Sequence, residues 1–305
     1  MSAAEVLCVG EVLWDALPEG LFLGGAPFNV ACHLRATGAA VSMVSRIGAD
    51  RLGDEVLRRA KRYGVDTELI QIDDELPTGF VRVIVDDAGN PSYEILAPAA
   101  WDAIGPSEAL LGRAARARAI VFGTLAQRDE RSRRTIQRLW DTKALMVFDV
   151  NLRPPFEDAQ IVKQSLQRAD VVKLSEDELT RIATWFDLGS TPRDAMTALA
   201  DSFECSVVCM TRGSEGAVLL HDGVWTEHAG FEVEVRDTVG AGDAFLAVLL
   251  AGLLSGTSDE ALLQHANLAG AYVVTQFGAV PADQGAASVA PPVQTAPRAK
   301  RRRRR

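Results

Sequence analysis

The feature that most constrains this chain is the alternation of short apolar runs with amphipathic segments over most of its 305 residues. Apolar runs fall at EVLCVGEV near the start, VSMVSRI, RAIVFG, ALMVFDV, DVVKL, CSVVCMT and AVLLHDG. Between them lie segments with helical periodicity: Pro27–Gly38, Arg51–Tyr63, Asp129–Trp140, Glu157–Ala169, Glu176–Phe186, Arg193–Phe203, Ala241–Leu254 and Asp259–Gln276. Strands buried on both faces read as continuous apolar runs, and βα repeats need crossover helices to join parallel neighbours. The pattern predicts an α/β fold with a mostly parallel sheet flanked by helices on both faces.

Two segments break the alternation. One spans Leu13 to Leu23, and the other Gly79 to Leu96. In the second, two strand-like runs flank Asp86-Asp87-Ala88-Gly89-Asn90-Pro91 with no helix to cover them. Two dispositions fit: a small separate sheet acting as a lid beside a cleft, or an edge hairpin of the main sheet. From Asp283 the composition turns to Ala, Pro, Gln and Ser and then to arginine, as expected of a disordered tail. No internal repeat is seen.

The charge pattern and the cysteines narrow the class. Net charge is −9, yet seven of the 32 basic residues occupy the last eight positions, leaving 25 basic against 41 acidic residues in the body. Such a body has no electrostatic reason to bind nucleic acid. The run from Arg298 to Arg305 could bind nucleic acid or an acidic surface, although a solvated charge run is the ordinary reading. The cysteines Cys8, Cys32, Cys205 and Cys209 form no CxxC pair and no zinc pattern. No apolar run reaches the ~18 residues needed to span a bilayer, and the N-terminus lacks the layout of a signal peptide. A reducing, cytoplasmic setting without membrane contact is expected.

The segment Asp237-Thr238-Val239-Gly240-Ala241-Gly242-Asp243-Ala244-Phe245 carries the most chemistry. A strand-like stretch, Phe231 to Val235, precedes it, and the apolar helix AFLAVLLAGLL follows. Glycines where a helix begins let free N–H groups face an anion, and the helix dipole adds positive potential. Asp243 then has two readings. It is an N-terminal helix cap, or a carboxylate that takes the proton of a hydroxyl attacking phosphorus. There is no GxxxxGK[ST] and no GxGxxG after a strand, so neither the Walker loop nor a dinucleotide fingerprint applies.

DTVGAGDAF resembles the C-terminal signature of the ribokinase-like sugar kinases, the phosphofructokinase-B family. Gly24-Gly25-Ala26-Pro27-Phe28-Asn29-Val30-Ala31, followed by Arg46-Ile47-Gly48-Ala49-Asp50 and Gly53, resembles the N-terminal signature, in the right order and about 200 residues upstream. The likeness covers about residues 4 to 282. It implies one ribokinase-like kinase domain over 1–282, with a lid from about 12–25 and 78–102 and a tail over 283–305.

The resemblance also implies roles. Asp243 would be the catalytic base, and the amides of Gly240, Ala241 and Gly242 the anion hole. Asp15 and Asn29 would bind sugar hydroxyls, with Gly24 and Gly25 letting the sugar lie against the backbone; alternatively Asn29 is a helix-capping or otherwise satisfied polar residue. Arg153, in the strand-end string Asp149-Val150-Asn151-Leu152-Arg153, would reach the substrate or the transferred phosphate, unless it is a surface arginine. Lys173-Leu174-Ser175-Glu176-Asp177-Glu178 corresponds to the NxxE element near magnesium and the phosphates, with Ser175 in place of the usual Asn; an acidic first turn of a helix is the plain alternative. Thr211, Gly213 and Gly216 would form a nucleotide-side loop, or a simple turn between strands, and Asn267 would lie near adenine. ATP and Mg2+ are implied, bound largely through phosphates and water. Many relatives use K+ near the anion-hole loop, where Asp237 would organise the site. A homodimer is compatible with the family.

Finer strings point toward bacterial fructokinases: Gly10-Glu11-Val12-Leu13-Trp14-Asp15, Pro98-Ala99-Ala100-Trp101-Asp102, Phe122 to Arg128, and DVNLR. They imply that Trp101 and Asn151 help to bind the sugar, and that fructose is phosphorylated at O6. Ribose, 2-keto-3-deoxygluconate or another ketose remain open. A non-catalytic sugar or nucleotide sensor on the same fold is the rival class, and it would be free to lose the GAGD and Glu178 set.

Overall fold

In the computed structural model, residues 5–17, 20–85 and 91–281 are described. The turn at 86–90 and the tail from 282 onward lie outside them. In chain order the elements are β1 (Val6–Val9), β2 (Leu13–Leu17), β3 (Gly20–Gly24), α1 (Ala26–Ala36), β4 (Val41–Gly48), α2 (Arg51–Arg62), β5 (Ile70–Asp73), β6 (Gly79–Val85) and β7 (Pro91–Ile95). Next come α3 (Glu108–Ala114), β8 (Ala119–Gly123), α4 (Glu130–Leu139), β9 (Leu145–Asp149), α5 (Ala159–Leu166), β10 (Val171–Ser175), α6 (Glu176–Phe186) and α7 (Pro192–Phe203). The last are β11 (Val207–Thr211), β12 (Ala217–His221), β13 (Val224–His228), α8 (Ala241–Ser255) and α9 (Asp259–Val274).

Nine strands form the main sheet in the order β13-β12-β11-β10-β9-β8-β1-β4-β5, parallel from β11 to β5, with β12 and β13 antiparallel at one edge. The period-2 geometry of a strand divides its side chains between two cores. Leu7 and Val9 of β1 join Phe122, Phe148 and residues of α3–α7 on one face. Val6 and Cys8 join α1, α2, α8 and α9 on the other. Helix α8 is apolar almost all round because α1 and α9 cover it as well as the sheet.

The chain runs from β1 outward through β4 and β5, then returns to β8 on the other side of β1. The strand order therefore reverses between β1 and β8, and ligands of open α/β sheets lie at that crevice, beyond the carboxyl ends of the strands.

The two segments that break the βα alternation come together. Strands β3, β2, β6 and β7 form a separate four-stranded sheet, with β2 pairing parallel to β6 and antiparallel to β3. The separate-sheet reading is correct, and the edge-hairpin alternative is not. Two expectations change, and one strand is new. Phe231–Val235 joins neither sheet. Val224–His228 is an edge strand with one partner and only Val224 and Glu227 exposed; its sequence VWTEH shows no clean period-2 signal. Cys205 lies just before β11 rather than within it, and all four cysteines are buried as free thiols.

Candidate functional site

The carboxyl ends of the parallel strands gather the candidate residues. Gly10 and Glu11 follow β1, Thr124 follows β8, Asp149 ends β9, Ser175 ends β10 and Thr211 ends β11. The first turn of α8 meets this edge. Its N-cap is Gly240, at φ +81°, a left-handed conformation that side chains disfavour. A Cβ there would also meet the Cα of Ala279 at 2.5 Å. Gly242 has no such φ, yet a Cβ there would lie 3.0 Å from Nζ of Lys173. The two glycines thus serve different needs: Gly240 a backbone turn, Gly242 the close approach of a cation.

Asp243 is the third residue of α8, and it makes no cap hydrogen bond. Instead Nδ2 of Asn29 donates to its Oδ2 at 2.8 Å. The cap reading of Asp243 fails, because Gly240 already begins the helix. Asn29 sits in the second turn of α1 and is 4% exposed; its Oδ1 is buried without a partner. A buried amide oxygen without a partner is unfavourable unless a ligand donor completes it.

Asp15 of β2 faces this cleft from the small sheet. A Cβ on Gly24 would meet Oδ2 of Asp15 at 2.7 Å, so the missing side chain makes room for the carboxylate. Burial pushes Asp15 up to about 6, against the pull of Arg153, with Asp237 adding to the rise. Gly25, at φ +107°, passes so close to the Glu11 carbonyl that no Cβ fits. Phe22 of β3 packs toward Gly278, bringing the small sheet onto the loop behind α8.

The string from Asp149 to Arg153 is pinned at several points. Thr124 Oγ1 donates to the Val150 carbonyl at 2.6 Å, and Val150 N donates to the Lys173 carbonyl at 3.0 Å. Asn151 holds a left-handed φ of 38°. Leu152 N donates to Glu178 Oε1 at 2.7 Å. The other Glu178 oxygen accepts Ser175 N at 2.7 Å, while Ser175 Oγ accepts Glu178 N at 3.2 Å, which makes a capping box at the start of α6. Ser at this position therefore keeps the N-cap role that Asn also performs. The acidic-first-turn reading of Glu178 is right, and the same side chain also ties the Arg153 string to β10. Arg153 is exposed, donates to the Leu152 carbonyl at 3.0 Å, and pulls on both Glu11 and Asp15.

Lys173 is buried, with Nζ 3.0 Å from Oδ1 of Asp149, its register partner on β9. Burial opposes its charge, but Asp149, Glu178 and Asp243 outweigh burial and hold it above the usual lysine range. Oδ2 of Asp149 is buried without a partner. A fixed cation thus lies beneath the first turn of α8.

The loop behind α8 is braced by its own contacts. Asp237 accepts Val239 N at 3.0 Å and Gly278 N at 2.9 Å. Buried His33 is pushed below the usual imidazole range by burial, and its Nε2–H donates to the Ala279 carbonyl at 2.8 Å. Among the described residues there is no group of three or more His, Cys, Asp or Glu that could hold a metal ion. The oxygens of Asp149 and Glu178 suit a hard cation carried in by phosphates and water.

Two expected site residues are buried. Trp101 is 0% exposed: it stacks under Arg128 at 3.9 Å and closes on Gly79, in the core below the small sheet. Its Nε1 is buried without a hydrogen-bond partner. Asn267 is buried in α9, and its Nδ2 donates to the Leu263 carbonyl at 2.7 Å, so its donor serves the helix. Thr211, Gly213 (φ +55°) and Gly216 (φ +80°) form the tight connection from β11 to β12, which is the turn alternative, at the same edge of the sheet.

The sequence reading missed Glu11, Asp149, Thr124 and His33 as parts of the site. Glu11 left one signal, an acid closing an otherwise apolar strand run. The Lys173–Asp149 pair left none, since nothing local shows which strands lie side by side.

The profile described as pfkB family carbohydrate kinase matches residues 19–284. A fructokinase of Escherichia coli is 32% identical over 302 residues, covering 92% of this chain and 96% of the relative. The structure of a Xylella fastidiosa fructokinase with bound ATP superposes with a TM-score of 0.77 at 26% identity, covering 90% of this chain and 94% of that one. A Pyrococcus horikoshii sugar kinase in complex with ATP gives 0.75 at 27%, covering 90% and 94%.

Proposed function

The chain belongs to the pfkB family of carbohydrate kinases, and from that membership we propose that it transfers the γ-phosphoryl group of ATP to the 6-hydroxyl of fructose. The observation that carries the chemistry is the 2.8 Å hydrogen bond from Asn29 to Asp243 at the first turn of α8. It holds a carboxylate at the first turn of α8, where the proposed anion hole begins.

Asp15 and Asn29 hold sugar hydroxyls, with Gly24 and Gly25 leaving room for the ring. The attacking hydroxyl lies against Asp243. As its oxygen bonds to phosphorus, its proton passes to Asp243, the bond from phosphorus to the ADP oxygen breaks, and ADP leaves. The amides of Gly240, Ala241 and Gly242, the α8 dipole and Lys173 face the charge on the group in flight. Stabilisation of this kind is often the largest catalytic contribution. Arg153 and Asn151 stand at the substrate side. Lys173, Thr211, Gly213, Gly216 and Asn267 stand at the nucleotide side, Asn267 acting as part of the α9 wall rather than as a donor. Mg2+ would draw charge from the phosphates, with Glu178 and Asp149 receiving its water ligands, and Asp237 braces the loop beside which K+ would sit.

The test is coupled ADP release against a panel of sugars, with the product identified by NMR. The reading expects fructose to be preferred and fructose 6-phosphate to form. Preference for ribose or 2-keto-3-deoxygluconate would overturn the sugar, and calorimetric sugar binding without turnover would overturn catalysis.

A further inference from the structure

Two strings of the sequence, Pro98–Asp102 and Phe122–Arg128, meet in an ion pair to which the kinase chemistry above gives no part. Arg128 closes the turn that follows β8, beside the crevice where the strand order reverses. Its side chain is 6% exposed and that of Asp102 3%. Nε donates to Oδ1 of Asp102 at 2.8 Å and Nη2 to Oδ2 at 2.8 Å, a two-pronged fork. Nη2 also donates to the Leu96 carbonyl at 2.8 Å. The guanidinium carbon lies 3.9 Å from the centre of the Trp101 ring and 4.5 Å from that of Phe156. Nη1 is buried without a partner.

A buried ion pair is a poor source of stability, because desolvation offsets most of the attraction. A planar fork stacked on aromatic rings does fix geometry. Leu96 follows β7 directly, and its N donates to the Phe80 carbonyl of β6 at 3.0 Å. In the small sheet Asp15 lies level with Val81, and Val81 with Ile95. Arg128 thus grips that sheet one residue beyond the row that carries Asp15. On the other side, Phe156 N donates to the Arg153 carbonyl at 2.8 Å. The ring against Arg128 therefore belongs to the turn that carries Arg153.

We infer that Arg128 is a positioning residue that sets the spacing of Asp15 and Arg153, through Leu96 on one side of the cleft and Phe156 on the other. That the two residues span a sugar rests on the kinase reading; the bracing itself does not.

Hydrogen exchange in the ligand-free protein tests the bracing without any turnover. Arg128→Lys keeps the charge but loses the fork and the flat face. The amides of Leu96 and Phe156 should exchange at least about tenfold faster, while those of β9 and β10 change by less than about twofold. Unchanged exchange at either amide would overturn the inference. So would an equal rise throughout the main sheet, which would make the pair a stabilising element of the whole fold. Phe156→Leu, which leaves the ion pair in place, does not depend on Arg128→Lys folding. It should speed exchange at position 156 and not at Leu96, and no rise at 156 would overturn the inference.

Steady-state kinetics read the consequence for the sugar. Arg128→Lys should lower kcat/KM for the sugar by about 10–100-fold, with the ATP KM changed by less than about twofold. Equal rises in the sugar and ATP KM would overturn the inference. Phe156→Leu should lower sugar kcat/KM by at least about fivefold alone, and by less than about twofold in an Arg153→Ala background. Additive losses would overturn the route through Arg153. Faster exchange at both amides in a protein that phosphorylates no sugar would spare the bracing and sink the kinase reading instead.

Discussion

Nδ2 of Asn29 donates to Oδ2 of Asp243 across 2.8 Å, joining residues 214 positions apart in the chain. One lies in the helix after the Gly24-Gly25 pair and the other in the helix after Gly240, so a single contact ties the two signature segments into one site. Replacing Asp243 with Asn removes the base and should lower kcat by about 10²–10⁴-fold, while the melting temperature stays close to that of the parent. Asn29→Ala removes a hydrogen bond to a charged group, of about 1.5–3 kcal/mol, and should lower kcat/KM by roughly 10–150-fold. Steady-state kinetics beside thermal unfolding checks both; full activity in Asp243→Asn would refute the assignment of the base.

The ends of α8 offer an internal control. Gly240 and Gly256 both have left-handed φ, 81° and 72°. A Cβ at 256 meets nothing within 4 Å, whereas one at 240 collides with Ala279. Gly256→Ala should therefore cost only about 1–2 kcal/mol and leave kcat alone. Gly240→Ala adds the collision to the same strain, so it should lose more stability and nearly all turnover. Equal losses in calorimetry and kcat would contradict this account of the anion-hole turn.

The buried Lys173–Asp149 pair predicts a sign reversal in a double variant. Lys173→Met leaves Asp149 uncompensated and should cost about 3–5 kcal/mol in denaturant unfolding. Adding Asp149→Leu removes the orphaned charge and should recover most of that stability. Turnover should not return with it, because the cation beneath Gly242 is still missing. Recovery of kcat together with stability would make the pair purely structural.

Asp15 sets a pH dependence for the sugar. Burial raises it to about 6, so it is protonated below that pH and then accepts fewer hydroxyl donors. The sugar KM should rise below pH 6, approaching about tenfold per pH unit, while the ATP KM changes less. Asp15→Asn should flatten the profile at a uniformly high KM. A wild-type sugar KM that is flat from pH 5 to 8 would argue against an ionised Asp15 as the hydroxyl acceptor.

Trp101 is fully buried. As a core residue it should cost about 3–5 kcal/mol when replaced by alanine. Its loss should show in unfolding, with kcat per folded molecule changed only a few-fold. A large rise in sugar KM without loss of stability would return it to the cleft.

What the sequence determined by itself was whatever is written in neighbouring residues. The period of the apolar runs specified the parallel sheet, since strands covered on both faces must be apolar throughout. Gly240, Gly242 and Asp243 marked a helix start as a candidate anion site because their conformational freedom and charge are properties of those few residues. The tertiary structure decided which polar groups come together and which hold the frame. Glu178 caps α6 and clamps Leu152, Trp101 fills the core, and Asn267 bonds its own helix. Glu11 and Asp149 became site residues only when parallel pairing brought the ends of β1, β9 and β10 to one edge. The reason is physical: burial and pairing set the free energy of a charge, and both depend on segments far apart in the chain.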